Sequence, residues 1–105
     1  MNAIHHTNNN CPIHQLFEFL GKKWIIWLIK TLQDHWEQSF SQLQSAMSSI
    51  NSRILTERLD EGIAQWFIIR TVSTQKPLKI RYSLTHKWHK LWTKICELAD
   101  FAKNL

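Results

Sequence analysis

Seven cationic side chains with no acidic neighbour give this sequence a region that could bind phosphates. No Asp or Glu occurs between Trp66 and Lys94, although the 105-residue chain has 8 acidic and 13 basic residues. The cations of that stretch are Arg70, Lys76, Lys79, Arg81, Lys87, Lys90 and Lys94. They exceed the formal net charge of +5 for the whole chain, so the remainder is slightly acidic. This concentration of positive charge indicates a polyanionic partner.

Two cysteines offer thiol chemistry. Cys11 precedes Pro12, a residue typical of the first turn of a helix, and a helix N-terminus stabilises a thiolate. Cys11 is therefore a candidate redox sensor; the alternative is a small cap residue without a redox role. Cys96 lies between Trp92 and Leu98 on the apolar side of a predicted helix, where core or interface packing is expected.

Metal binding and catalysis find little support in the sequence. The spacings that a metal site could use are Cys11-x-x-His14, His5-His6 and His86-x-x-His89, and none of them supplies four ligands in a recognisable pattern. We expect solvent-facing histidines, with no metal and no cofactor. The chain has only two glycines, no phosphate-binding loop and no nucleophile beside an evident base, so we do not expect an enzyme.

Size and composition are typical of one small domain. We expect a flexible, Asn-rich arm over residues 1–10 and a single folded domain over 11–105. The longest apolar run, Trp24 to Ile29, is far shorter than the roughly 20 residues that span a bilayer, and a soluble cytoplasmic protein is expected. Six tryptophans are more than so small a core can bury, which favours a subunit interface and hence a dimer.

The residue pattern predicts five helices and one hairpin. Helices are expected at about 12–20, 22–32, 39–47, 52–65 and 85–103, and strands at about 67–72 and 78–84. Ser39 with Gln42 forms a capping box, and Asn51 is an N-cap. The fold class is therefore mainly α with a small β-hairpin (α+β), in the order α-α-α-α-β-β-α.

A helix-turn-helix followed by a basic hairpin is a winged helix-turn-helix. A helix fits the major groove of B-form DNA, and a flanking hairpin reaches the backbone. The predicted DNA-binding residues are Ser52, Arg53 and Thr56 on the second helix of the unit and Lys76, Lys79 and Arg81 on the hairpin. The alternative is that these charges only solvate a surface.

The sequence resembles the HxlR-type transcriptional regulators, a winged-helix family related to MarR. The matching segments are Cys11-Pro12, Gly21-Lys22-Lys23-Trp24 for the family's GKW, Phe40-Ser41-Gln42-Leu43 for RFxEL, residues 50–59 for ISxRxLTxRL, and Tyr82-Ser83-Leu84-Thr85 for YSLT. Each segment is weak alone, whereas the ordered set is specific.

The resemblance implies a homodimer, formed through the first and last helices, that binds a pseudo-palindromic operator in double-stranded DNA. The recognition helix would enter the major groove once per half-site. Several members with a cysteine at the place of Cys11 respond to oxidants or electrophiles, which supports a sensing role here. An intersubunit disulfide between Cys11 and Cys96 is conceivable if the first and last helices meet across the dimer.

Some positions depart from the family pattern. Gly62 stands where the family usually has Leu, and Ser49, Trp66 and Trp88 stand where it has Gly; we expect Trp66 and Trp88 to pack on each other. Acidic residues lie near the DNA face, including Glu57, which could hold Arg53 when no DNA is bound. These departures motivate an alternative function, a winged-helix protein-interaction module with weak or lost DNA binding.

Overall fold

The computed structural model describes residues 11–104, so the arm predicted over residues 1–10 lies outside the described part of the chain. The elements are α1 (Pro12–Leu20), α2 (Ile25–His35), β1 (Glu37–Gln38), α3 (Phe40–Ala46), α4 (Ser52–Ala64), β2 (Ile68–Ser73), β3 (Lys79–Leu84) and α5 (His86–Lys103). The predicted order of helices and hairpin strands is confirmed, and the two-residue strand β1 is added to it. None of the helices within 11–104 is long and apolar enough to cross a membrane.

Side-chain caps fix where three helices begin. Ser39 and Gln42 form the predicted capping box at α3, and the Asn51 side chain accepts a hydrogen bond from the Ile54 amide at α4. Thr85 caps α5, and its hydroxyl also donates to the Trp66 carbonyl over 2.6 Å. The same threonine therefore starts α5 and ties it to the chain that leaves α4.

The second helix is shifted along the chain relative to the prediction. Trp24 has a left-handed backbone with φ 80°, so the helix begins at Ile25 and not at Lys22. It then continues to His35, three residues beyond the predicted end. Because Trp24 is a non-glycine residue at positive φ, its conformation is set by tertiary packing and not by local preference.

Strand β3 lies at the centre of a three-stranded antiparallel sheet of order β1-β3-β2. Arg81 pairs with Thr71 and Lys79 with Ser73 across the hairpin. The hairpin of β2 and β3 is the wing. Successive side chains of a strand point to opposite faces of the sheet, so Lys79 and Arg81 lie on the same face of the wing. Arg70 pairs with the buried Tyr82 and belongs to the opposite face.

Two apolar clusters hold the domain together. The larger joins α2, α3, α4 and the sheet through Leu28, Leu32, Leu43, Met47, Ile50, Leu55, Leu59, Ile68 and Tyr82. The smaller joins α1, α2 and the start of α5 through Phe19, Ile25, Ile29, Phe67 and Trp88. The spacing of Leu55, Leu59 and Ile63 predicts one buried stripe on α4; Leu55 and Leu59 are buried and Ile63 is partly buried, so the opposite side of that helix lies in solvent.

The end of α4 shows why the expected contact between Trp66 and Trp88 is wrong. The Trp66 amide donates to the Ile63 carbonyl and the Phe67 amide to the Gly62 carbonyl, which is the Schellman pattern of a helix C-terminus. Trp66 holds the left-handed position of that motif with φ 65°, and 74% of it is exposed. The chain reversal instead places Phe67 inside, where it packs edge-on against Trp88 at 5.9 Å.

Candidate nucleic-acid interface

Helices α3 and α4 are joined by a tight turn that sets their relative orientation. Ser49 has φ 82°, the left-handed conformation that glycine adopts most readily, and the Ile50 amide donates to the Met47 carbonyl over 3.0 Å. Asn51 then starts α4 through the 2.8 Å bond that its side chain accepts from Ile54. The first turn of α4 therefore leaves the core at a fixed angle and points into solvent.

Three predicted DNA-binding residues, Ser52, Arg53 and Thr56, lie together on this exposed first part of α4. The Ser52 hydroxyl accepts a hydrogen bond of 3.0 Å from the side-chain amide of Gln44 on α3. The Thr56 hydroxyl donates to the Ser52 carbonyl over 2.8 Å. Both hydroxyls are thus oriented in the free protein, and each keeps further hydrogen-bonding capacity for a ligand.

Arg53 is the long side chain of this surface. Its side chain is 80% exposed, and its Nη1 lies 3.7 Å from a carboxylate oxygen of Glu57, one turn along the helix. The pair that the i,i+4 spacing suggested is therefore present. An exposed guanidinium with five donors is suited to base edges and to phosphates alike.

The wing residues do not all have the same surroundings. Lys76 and Lys79 are exposed, at the hairpin tip and at the start of β3. Arg81 is partly buried, and its Nη1 donates to the side-chain carbonyl of Gln42 on α3 over 3.2 Å. Lys76 and Lys79 are free to meet phosphates, whereas Arg81 also connects the wing to the helix-turn-helix.

The three α5 lysines that belong to the acid-free stretch, Lys87, Lys90 and Lys94, also differ in their surroundings. The Lys87 ammonium donates to the Gln65 carbonyl over 2.9 Å and lies 4.7 Å from the centroid of the Phe67 ring. These contacts tie α5 to the end of α4. Lys90 and Lys94 lie farther along the helix and are exposed.

Both cysteines are exposed free thiols. Cys11 is the N-cap of α1 and makes no capping hydrogen bond through its side chain. Cys96 was expected in core or interface packing. Core packing is wrong for the described residues 11–104, because Cys96 is exposed among them. Across residues 11–104 no three His, Cys, Asp or Glu side chains gather in a way that could hold a metal ion.

Sequence reasoning missed the side chains that support this surface. Gln44 orients Ser52, and Arg58 donates from Nε to the Lys23 carbonyl over 2.8 Å and from Nη1 to Glu61 over 3.1 Å. Gln44 carries no local signal, because its partner lies eight residues away around the turn. Arg58 does occur in the motif of residues 50–59, although the motif alone does not reveal its partners.

The family relationship follows from residues 19–105, which match the model of the HxlR-like helix-turn-helix family. The chain belongs to the HxlR family. This HxlR-like chain is 30% identical over 96 residues to the HTH-type transcriptional regulator YodB of Bacillus subtilis, covering 90% of this chain and 85% of YodB. It is therefore a transcriptional regulator of the helix-turn-helix type, as predicted.

Solved structures agree with this membership. Reduced YodB superimposes with a TM-score of 0.77 at 29% identity, covering 90% of this HxlR-like chain and 93% of that one. YodB has also been solved in a quinone-bound form, with a TM-score of 0.72 at 27% identity, covering 90% and 99%. The redox regulator HypR in its oxidized form gives 0.70 at 27% identity, covering 90% and 97%. A MarR-family regulator of Enterococcus faecalis gives 0.78 at 21% identity, covering 98% and 93%, and shows the shared winged-helix fold alone.

Proposed function

We propose that this protein is a homodimeric, sequence-specific DNA-binding regulator whose α4 enters the major groove of a pseudo-palindromic operator once per half-site. Ser52, Arg53 and Thr56 contact base edges and nearby phosphates. Lys76 and Lys79 hold the wing on the DNA backbone. The observation that carries this proposal is the exposed polar first turn of α4, anchored by its buried stripe and capped by Asn51, in a chain of this family.

The wing supplies affinity, and the helix supplies specificity. Lysine ammonium groups bind phosphates as point charges and read no sequence. Arg53 carries the planar donor pattern that matches the O6 and N7 acceptors of guanine. Arg81 has two functions in this arrangement, because its guanidinium can meet a phosphate while the bond to Gln42 keeps β3 beside α3.

The dimer is supported by apolar side chains that one chain leaves uncovered. On α1 these are Ile13 and Phe17, and on α5 they are Trp92, Leu98 and Phe101. Trp88 is the only buried residue of α5, a helix of 18 residues, and Leu91 and Ile95 pack partly buried beside it. The second half of the helix, residues 96–103, is exposed within the described chain. Apolar patches of this kind mark interaction surfaces, and a second copy with the same two helices is the partner that the family relationship favours.

Binding to duplex DNA at increasing salt tests this proposal. Each phosphate that a cation neutralises adds about 0.9 to the steepness with which log affinity falls against log salt concentration. We expect a steep slope, and tighter binding to the promoter DNA beside the protein's own gene than to random duplex. A protein that binds neither DNA at low salt would support the alternative of a protein-interaction module.

We further propose that Cys11 makes the regulator responsive to oxidants or electrophiles. The thiol is exposed at the N-terminus of α1 and makes no capping hydrogen bond, so a reagent can reach it. The similar proteins YodB and HypR have been solved in a quinone-bound and an oxidized form, respectively. Because α1 is a proposed dimer helix, modification of Cys11 would alter the spacing of the two recognition helices.

A further inference from the structure

A network of ion pairs with alternating charges extends from the α1–α2 junction to the DNA-facing side of α4. Its members, in order, are Lys22, Glu61, Arg58, Glu57 and Arg53. The successive nitrogen–oxygen distances are 3.6, 3.1, 3.8 and 3.7 Å. Only its last member, Arg53, is among the proposed DNA-contacting residues.

Arg58 is the residue of this ion-pair network whose side chain is held in place. Its side chain is only 16% exposed, and its Nε donates to the Lys23 carbonyl over 2.8 Å. Its Nη1 donates to Glu61 over 3.1 Å. A guanidinium held by a backbone carbonyl and a carboxylate loses most of its rotational freedom before DNA arrives.

Glu57 is held between the fixed arginine and the exposed one. Its Oε1 lies 3.8 Å from Arg58 Nη1, and its Oε2 lies 3.7 Å from Arg53 Nη1. The carboxylate therefore lies between two guanidinium groups, and its charge attracts the exposed Arg53 toward the fixed Arg58. This contact involves one terminal nitrogen of Arg53, and a guanidinium has five N–H donors in all.

We infer that Glu57 increases the sequence specificity of DNA binding, because it positions Arg53 for contact with base edges and makes contact of Arg53 with phosphates less favourable. This inference rests on the proposed DNA binding. A restrained side chain loses less entropy when it binds, which favours a contact that needs one geometry, such as the bidentate contact to guanine. The negative charge beside Arg53 also weakens its attraction to phosphates, and phosphate contacts make up non-specific binding. Specificity is a difference of affinities, and a repulsive element raises it.

The substitution Glu57→Gln tests this role. Binding of both proteins is measured on random duplex and on the duplex that the native protein selects from a random library. We expect affinity for random duplex to rise about two- to five-fold, the range that one partly exposed ion pair supplies. Affinity for the selected duplex should stay the same or fall. The ratio of affinity for the selected duplex to affinity for random duplex should therefore decrease. An unchanged or increased ratio would overturn the inference.

Asp34→Asn is the matched control for net charge. Asp34 forms the same type of i,i+4 pair on α2, with Lys30 at 2.9 Å. Its substitution changes the formal charge by the same amount as Glu57→Gln does, and we expect it to leave the ratio of affinities unchanged. If Asp34→Asn lowers the ratio as much as Glu57→Gln, net charge is the cause and Glu57 has no positioning role.

A third comparison places Glu57→Gln in the Arg53→Ala background. If Glu57 acts through Arg53, its substitution should no longer lower the ratio there. A decrease that persists would mean that Glu57 acts independently of Arg53, by contacting a base or by repelling phosphates itself, which overturns the positioning role. If the native protein binds no DNA, both the inference and the proposed function are overturned. If the native protein prefers the selected duplex over random duplex and every variant has the same ratio of affinities as the native protein, the inference alone is overturned.

Discussion

Gln42 and Arg81 meet across the boundary between the helix-turn-helix and the wing, 39 residues apart in sequence and 3.2 Å apart between Oε1 and Nη1. The same oxygen of Gln42 accepts the Ser39 amide over 2.9 Å and so completes the capping box of α3. One side-chain carbonyl therefore stabilises the start of a helix and fixes the position of the wing strand beside it.

Replacing Gln42 tests this double contact. Gln42→Ala should lower the free energy of unfolding by about 1–2 kcal/mol, since it removes two hydrogen bonds at the protein surface. Gln42→Glu keeps both acceptor positions, adds an ion pair to Arg81 and should be at least as stable as the native protein. Urea denaturation measures both values. Equal stability of the two variants would show that the contact contributes nothing.

Trp66→Gly should stabilise the protein by about 1 kcal/mol. Trp66 holds a left-handed position with φ 65° at the end of α4, a conformation that costs roughly 1–2 kcal/mol for residues with a Cβ. Its side chain is largely exposed, so little packing is lost. Trp66→Ala is the control and should gain no stability, because alanine keeps the Cβ. Thermal unfolding compares the native protein with both variants. Equal stabilisation by alanine and glycine would contradict the explanation.

Arg53→Ala and Lys79→Ala should separate the roles of helix and wing. Loss of Arg53 should weaken binding to the selected duplex by about 1–3 kcal/mol per base contact and affect random duplex less. Loss of Lys79 should weaken binding to all sequences alike and reduce the salt slope by about 0.9 per subunit. Fluorescence anisotropy over a salt series measures both effects. The reverse pattern would mean that the roles are exchanged.

Cys11→Ser should abolish the response to thiol reagents. We expect diamide or a benzoquinone to change the DNA affinity of the native protein and to leave that of Cys11→Ser unchanged. Cys96→Ser is the matched control, because Cys96 is the other exposed thiol. If Cys96→Ser keeps the response, Cys11 acts without Cys96. If it loses the response and the oxidised native protein runs as a covalent dimer without reductant, the two cysteines pair. An equal response in native protein and Cys11→Ser would exclude Cys11 as the sensor.

Leu98→Lys should dissociate the proposed dimer. Leu98 on α5 is 65% exposed in one chain, and a symmetric dimer that buries it loses two leucines at about 1.5–3 kcal/mol each. The dissociation constant should rise at least about a hundred-fold in sedimentation equilibrium. Leu78→Lys is the control, since Leu78 is 64% exposed and lies at the wing. Equal self-association of the two variants would place the interface elsewhere.

Local signals made much of the fold predictable. Ser39 with Gln42 and the single side chain of Asn51 located the starts of α3 and α4, because capping depends on residues within one turn. The strand β1 was not predictable, since Glu37 and Gln38 have no strand preference and pair with β3 only because the fold brings them there. Nor was the late start of α2, which follows from the left-handed backbone of Trp24.

Gly62 shows how packing resolves a departure from the family pattern. A Cβ at this position would lie 2.9 Å from Ile68 Cγ1 and still closer to Cδ1 of the same side chain. A leucine here would therefore require the Ile68 side chain to move, because β2 approaches α4 closely at this point. The sequence showed the substitution, and only the packing of strand on helix gave its reason.

The sequence by itself determined the order of helices and hairpin strands, the start of α4 and the concentration of cations after Trp66, because these follow from local preference and composition. The tertiary structure decided which cations share a surface. Lys79 and Arg81 lie on one face of the wing, Arg70 lies on the other, and Lys87 ties α5 to α4. It also decided that Glu57 lies between two arginines, since Arg58 is held by a carbonyl 35 residues away in the sequence. Such relations depend on distances between elements, which no local pattern contains.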